Sequence, residues 1–202
     1  MTRASAIARL VERARARPAL AASIGVWAAT LLGFLAIGAA LPVLPRYVKG
    51  PIGSTDLAVG IVVGCFAATA VIGRPLGGRF VDDRGRRVIL VTGLLIAAAA
   101  GAMYLLPLGL SGLIAARLVL GLGDGWVFVA GAAWIVDLAP EERRGQAIGL
   151  FGLAIWGGLT VGSLIGEALL RLGSYDAVWL FCAVSPLVGA IAATRLPEAR
   201  VK

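Results

Sequence analysis

Long apolar stretches separated by short charged or glycine-rich connections set the pattern of this chain. No charged residue occurs from Ala19 to Pro45, from Leu57 to Gly73, from Val88 to Ala116, from Gln146 to Gly166 or from Ala177 to Thr194. About 20 apolar residues carry a helix across the hydrocarbon core, so each stretch predicts at least one crossing. The third is too long for one, and Pro107-Leu108-Gly109 followed by Ser111-Gly112 supplies the turn that divides it. The pattern therefore predicts an all-α integral membrane fold with spans near 19–44, 56–80, 88–106, 112–137, 146–170 and 177–195.

Composition agrees, with 59% apolar and only 15% charged residues, far from the usage of soluble domains. Three segments follow: a basic stretch 1–18, a six-helix transmembrane bundle over 19–195, and a tail, 196–202. In the first, Ile7, Leu10, Val11 and Ala14 share one helical face opposite most of the arginines, which predicts a short helix lying on the inner leaflet, with a disordered basic tail as the alternative. The apolar run that follows is longer than the roughly 7–15 residues of a secretory signal core, which argues against cleavage.

Orientation follows from the basic residues. Arg3, Arg9, Arg13, Arg15 and Arg17 precede the first span; Arg84, Arg86 and Arg87 join spans 2 and 3; Arg143 and Arg144 join spans 4 and 5; Arg195, Arg200 and Lys202 follow span 6. The opposite side has Arg46, Lys49 and Arg171. Basic residues are retained on the cytoplasmic side, so both termini are expected there. The net charge of +8 is then a topology signal and an attraction to anionic lipid, with no nucleic-acid partner implied.

Enzymatic chemistry has no visible support. The chain contains no histidine, and Cys65 and Cys182 lie inside predicted spans without metal-site companions, so no metal, cofactor or nucleophilic centre is expected. No nucleotide-binding loop occurs, which disfavours direct coupling to ATP.

Charges inside spans need a partner or a wet cavity, since each costs about 2.5–3.5 kcal/mol on insertion scales. Arg117, Asp124 and Glu167 stand out. Seven residues put Arg117 and Asp124 nearly on one face of span 4 but roughly 10 Å apart along its axis, too far for a direct pair. Arg117 and Glu167 both fall in the outer half, where a pair across helices is expected. Asp124, desolvated near the membrane centre, is the candidate protonatable group. Trp126, Phe128, Trp134 and Trp156, with Phe34, are candidates to line an aromatic cavity, with packing or lipid contact as the alternative. Gly158, Gly162 and Gly166 recur every fourth residue and predict a smooth strip for close helix packing.

The hairpin between spans 2 and 3, Gly78-Arg79-Phe80-Val81-Asp82-Asp83-Arg84-Gly85-Arg86-Arg87, resembles the signature of the major facilitator superfamily. Gly78, Asp82, Gly85, Arg86 and Arg87 match. Asp83 departs, with Arg84 one place later. Leu41-Pro42-Val43-Leu44-Pro45, Arg74-Pro75 with Gly77-Gly78, Arg117 through Gly123, and Pro140 through Gly149 are similar, in order, to further motifs of bacterial efflux permeases of that family. The resemblance covers roughly residues 25–198.

What it implies is one half of a twelve-helix secondary transporter, the half itself built as a 3+3 inverted repeat, with substrate bound near the midplane between halves. It implies a proton-coupling role for Arg117 and a conformational latch in which Asp137 meets Arg84, Arg86 or Arg87. At the family's antiporter motif Ser163 replaces a proline and Glu167 a glycine. The expected activity is proton-coupled efflux of a small organic solute, sugar-like or drug-like, which needs a second half from a homodimer or a separate carboxy-terminal chain. The alternative is a non-transporting half that serves as a membrane partner of a transporter.

Overall fold

The computed structural model describes residues 3–197, with side chains from Ala19 onward. The elements are α1 (Arg3–Ala40), α2 (Val43–Lys49), α3 (Asp56–Arg84), α4 (Arg86–Met103), α5 (Gly109–Leu138), a 3₁₀ turn (Glu141–Arg143), α6 (Arg144–Leu172) and α7 (Tyr175–Thr194). Six segments are long and apolar enough to cross a membrane, the first running from Ala19 through α2 to Lys49. The fold is an all-helical, multi-pass membrane bundle.

The largest departure from the sequence reading is at the end of the first span. The Leu41-Pro42-Val43-Leu44-Pro45 motif, expected to close it, only interrupts it: α1 stops at Ala40 and a new helix starts at Val43. Pro45 lies in the first turn of α2, where a missing N–H leaves no helical bond unmade, so it begins a helix rather than ending one. Basic residues before Ala19 belong to the same helix as span 1. The predicted apolar face of 1–18 rests on side chains outside the described residues, as do residues 198–202 of the predicted tail.

Local chemistry sets the helix ends. Thr55 accepts a bond from the Ala58 amide and Ser174 from the Ala177 amide, capping α3 and α7. Gly85 at φ +90° makes the one-residue turn between α3 and α4, a backbone region that a β-carbon disfavours. Gly109 at φ +62° opens α5 just after the predicted Pro107 break.

The packing order reveals a symmetry that no sequence repeat announces. Span 1 packs on spans 5 and 6, and span 4 packs on spans 2 and 3; spans 3 and 6 meet each other, as do 1 and 4. Renumbering 1, 2, 3 as 4, 5, 6 leaves this list of neighbours unchanged. Burial follows the same rule. Spans 1 and 4 each bury 56% of their apolar window, spans 3 and 6 bury 39% and 44%, and spans 2 and 5 bury 22% and 28%. Because each repeat makes three crossings, the second copy starts from the opposite side and the repeat is inverted.

Small residues allow the close approaches. A β-carbon on Gly162 would sit 3.0 Å from Leu35 Cα, and one on Gly166 2.8 Å from Ala39 Cα, so the predicted glycine strip of α6 lies against α1. A β-carbon on Gly125 of α5 would likewise sit 2.9 Å from the carbonyl oxygen of Ala70 on α3.

Candidate functional site

Span 4 carries the buried charges. Arg117 is 1% exposed; its Nε donates to the Val62 carbonyl at 3.0 Å, its Nη2 to the Val63 carbonyl at 3.5 Å, and its guanidinium lies 4.6 Å from the Phe66 ring centre. Its Nη1 has no partner. Thus α3 holds Arg117 through backbone carbonyls and a ring face, which keep a buried cation without a counter-ion.

Glu167 is not that counter-ion, contrary to the expected pairing. Its two carboxylate oxygens accept from Arg46 and Arg171, each at 2.8 Å. The physical reason lies in the first span: because α2 continues the helix past Pro45, Arg46 reaches Glu167 at the end of the bundle opposite the Gly85 hairpin. Arg171 is one turn further along α6. Glu167 is therefore part of a partly exposed ion cluster with Arg46 and Arg171.

Asp124 is 4% exposed and its Oδ1 has no hydrogen-bond partner. It borders a small cavity of about 10 Å³ whose other walls are Gly33, Phe34, Ile37, Ala97 and Val127, close to the lower limit of room for one water. Phe34 and Asp124, singled out separately in the sequence, are thus brought together where span 1 crosses span 4. The cations whose charges reach Asp124 are Arg74 and Arg117.

Arg74 is the residue that motif reading undervalues. It sits inside span 2, roughly 15 Å along the helix from Arg84 by helical rise, yet its side chain is exposed on the bundle surface. Its guanidinium stacks 4.6 Å from the Phe128 ring centre, and among the described residues it has no ion pair. The signal was available, since a charge within the predicted limits 56–80 needs the same explanation as Arg117. Phe128 in turn meets Phe151 edge-on, centroids 6.3 Å apart.

Phe151 lines a cleft of about 640 Å³ between α1, the end of α5 and the start of α6, with Ile24, Trp27, Leu150 and Arg143 among its other walls. The indole of Trp27 donates to the Leu150 carbonyl at 2.8 Å, tying α1 to α6 across this cleft. The remaining candidate aromatics have other places. Trp126 packs edge-on to Phe80 and against Gly77, on α3; Trp134 is fully buried, and Trp156 is exposed on α6.

The hairpin residues converge on α5. Arg86 Nε donates to Asp137 Oδ2 at 2.8 Å, its Nη1 to the Val81 carbonyl at 3.2 Å, and Asp82 lies 4.0 Å away. Of the three arginines considered for Asp137, Arg86 is the partner. Arg84 instead lies 5.3 Å from the Phe80 ring centre, and Arg87 donates to the Leu196 carbonyl at 3.2 Å. Gly85 makes the turn, and Gly78 faces Val129 at ordinary contact distance. At the other end Tyr47, Tyr104, Tyr175 and Trp179 form an aromatic cluster with neighbouring centroids 4.9–6.4 Å apart, which the sequence reading did not anticipate because its members lie on three separate spans.

Residues 26–202 match the profile of the Major Facilitator Superfamily. Among curated relatives, an uncharacterised MFS-type transporter of Salmonella typhimurium is 30% identical over 80% of this chain and 44% of its own length. Multidrug resistance protein 1 of Bacillus subtilis is 31% identical over 79% of this chain and 41% of its own length. Quinolone resistance protein NorA of Staphylococcus aureus is 31% identical over 66% of this chain and 34% of its own.

Among solved structures, the human organic anion transporter MFSD10 superposes with a TM-score of 0.74 at 23% identity, over 91% of this chain and 49% of that one. The xylose transporter XylE of E. coli, in its inward open conformation, superposes at 0.76 and 16% identity, over 90% of this chain and 48% of that one. The structural likenesses establish the fold. These relatives and neighbours are transporters rather than enzymes, and the chain spans less than half the length of the curated relatives it matches. The ordered hairpin motif, the six spans and the profile match lead to one conclusion: the chain belongs to the Major Facilitator Superfamily.

Proposed function

We propose that the chain forms one six-helix half of a proton-coupled solute exporter of a bacterial inner membrane, with both termini cytoplasmic. The observation that carries the reading is Asp124, a carboxyl group buried in the membrane-spanning region with one oxygen unpartnered and a water-sized cavity beside it. A buried acid of this kind takes and gives up a proton as its surroundings change, which is the requirement for coupling solute movement to a proton gradient. Arg74 and Arg117 are the two cations whose charges reach this carboxyl.

The names of two relatives, multidrug resistance protein 1 and quinolone resistance protein NorA, support export as the direction. Orientation rests on the basic residues gathered at the end with the Gly85 hairpin and the 139–143 connection. In this reading the Arg86–Asp137 pair is a latch at the cytoplasmic end.

Transport by alternating access requires a second bundle to rock against. Spans 2 and 5 are the least buried and carry large exposed apolar residues, Val71, Ile72 and Leu76 on α3 and Leu153, Trp156 and Leu164 on α6, faces suited to such a bundle. A second copy, a separate carboxy-terminal chain or a longer form of this one would supply it. The test is pH-gradient-driven solute flux in proteoliposomes, alone and with such a second bundle, beside the lipid-corrected mass of the embedded particle. Gradient-dependent flux lost in Asp124→Asn supports the reading. A particle with two bundles and no gradient-dependent flux of any tested organic solute refutes it.

A further inference from the structure

We propose that Arg74, Phe128, Phe151 and the cleft that ends at Arg143 form a binding path for an amphipathic organic anion, a carboxylate borne on an aromatic or aliphatic body. This names the substrate class for the transport reading above and rests on it.

Three observations converge. The first is charge in the wrong medium: Arg74 lies within a membrane span, exposed on the bundle surface, and has no ion pair among the described residues. Facing lipid, a guanidinium at that depth is costly and normally reaches for the interface; facing a wet cavity, it is a cation that awaits an anion. Its stacking on Phe128 fixes the plane of the fork, leaving N–H edges free, and a planar fork suits a carboxylate bidentately.

The second is contiguity. The Phe128 ring that orients Arg74 touches Phe151, and Phe151 is already a wall of the 640 Å³ cleft. That volume falls within the range of sites for small organic ligands, and its walls are mainly apolar, with Ile24, Trp27 and Leu150 prominent. The cleft takes an apolar body, and the Phe151–Phe128 pair connects its wall to the Arg74 guanidinium on the far side of the two rings.

The third is the sign of the charge. Among the described residues, Arg143 is the single ionisable side chain in the lining of the cleft, and no acidic residue lines it. Both identified ends of the path are therefore positive; Asp124, which the charge of Arg74 reaches, forms no ion pair with it and lines the small cavity with Phe34. A cationic solute would meet repulsion at each end. A neutral one would leave Arg74 unpaired.

The test uses the full chain in nanodiscs of zwitterionic lipid, with empty discs subtracted, and equilibrium dialysis of three probes of one shape: 1-naphthoate, 1-naphthylmethanol and 1-naphthylmethylammonium. Naphthoate is expected to bind about 10-fold more tightly than the alcohol, the gain from a charge-assisted pair. Arg74→Gln removes that preference, Arg74→Glu transfers it to the ammonium probe, and Arg143→Gln weakens naphthoate about 3-fold. Equal binding of the three probes, no naphthoate binding at all, or a preference that survives Arg74→Gln overturns the proposal, since every group invoked belongs to this chain. So does loss of naphthoate binding when phosphatidylglycerol replaces part of the lipid, which would make a lipid headgroup the occupant. Failure of the transport reading is read separately in proteoliposomes: naphthoate binding without gradient-driven flux leaves the site and removes the transporter. Flux of other solutes without naphthoate preference does the reverse.

Discussion

Spans 1 and 4 occupy equivalent places in the bundle and do unlike work. Each is the most buried helix of its repeat, each packs closely on two helices of the other repeat, and the two cross each other at Phe34 and Asp124. Span 1 does this with an interior of Val26, Ala29, Phe34, Ile37 and Ala40, polar only at Thr30, while span 4 carries Arg117 and Asp124 in the corresponding interior. The packing role is therefore repeated and the charge is not. A helix in this position can pack without ionised groups, which supports the proposal that the two charges of span 4 serve transport and not the fold.

The comparison breaks most severely at the shared close approaches. Gly162→Leu on α6 and Gly121→Leu on α5 should each destabilise the bundle by about 3 kcal/mol or more through overpacking, because a β-carbon at either place meets backbone of the facing helix, Leu35 or Ala70. Thermal unfolding in detergent measures both, and the repeat requires that they suffer alike. Gly152→Ala, where a β-carbon meets open space, should be neutral or slightly stabilising.

Next in size is the functional difference between the two spans. Asp124→Asn should reduce gradient-driven flux about 10-fold or more with little change in melting, whereas Ile37→Val, on the span 1 side of the same small cavity, should cost about 1 kcal/mol of stability and leave coupling intact. Smaller still is the latch. Asp137→Asn removes the Arg86 pair at 2.8 Å and should cost about 1 kcal/mol or less; exchanging the two residues, Arg86→Asp with Asp137→Arg, should recover part of any lost flux. Glu167→Gln should do least, since Arg46 and Arg171 are both well exposed, and its melting shift should vanish in high salt.

What was legible in the sequence follows from what each signal measures. Apolar run length gave the six spans to within a few residues at most ends, because crossing a bilayer imposes a length. It failed at Pro42 and Pro45, where proline opens α2 and length alone cannot tell a stop from a restart. The glycine strip predicted close packing correctly but not its partner, α1, since a smooth face does not name what lies on it.

In the candidate site, Asp124 and Phe34 were each readable, one as a buried acid and one as an aromatic, and only the crossing of spans 1 and 4 joins them. The Arg117–Glu167 pair was inferred from depth, and depth does not fix the direction of a side chain: Arg117 turns to the carbonyls of Val62 and Val63, and Glu167 to Arg46. Arg74 was passed over because a motif explained it. The inverted repeat was invisible because three-dimensional equivalence needs matching burial and neighbours, which residue identities do not preserve.

The claim that the charges of span 4 serve function and not fold is tested most directly by the melting of the double variant Arg117→Met, Asp124→Leu, beside wild type in one detergent. Replacement of buried ionised groups by apolar side chains of similar volume is often neutral or stabilising, and the carbonyls that Arg117 uses keep their helical bonds. The account predicts a melting temperature at or above that of wild type. A variant that melts well below it, or does not fold, would make Arg117 and Asp124 structural and contradict the account.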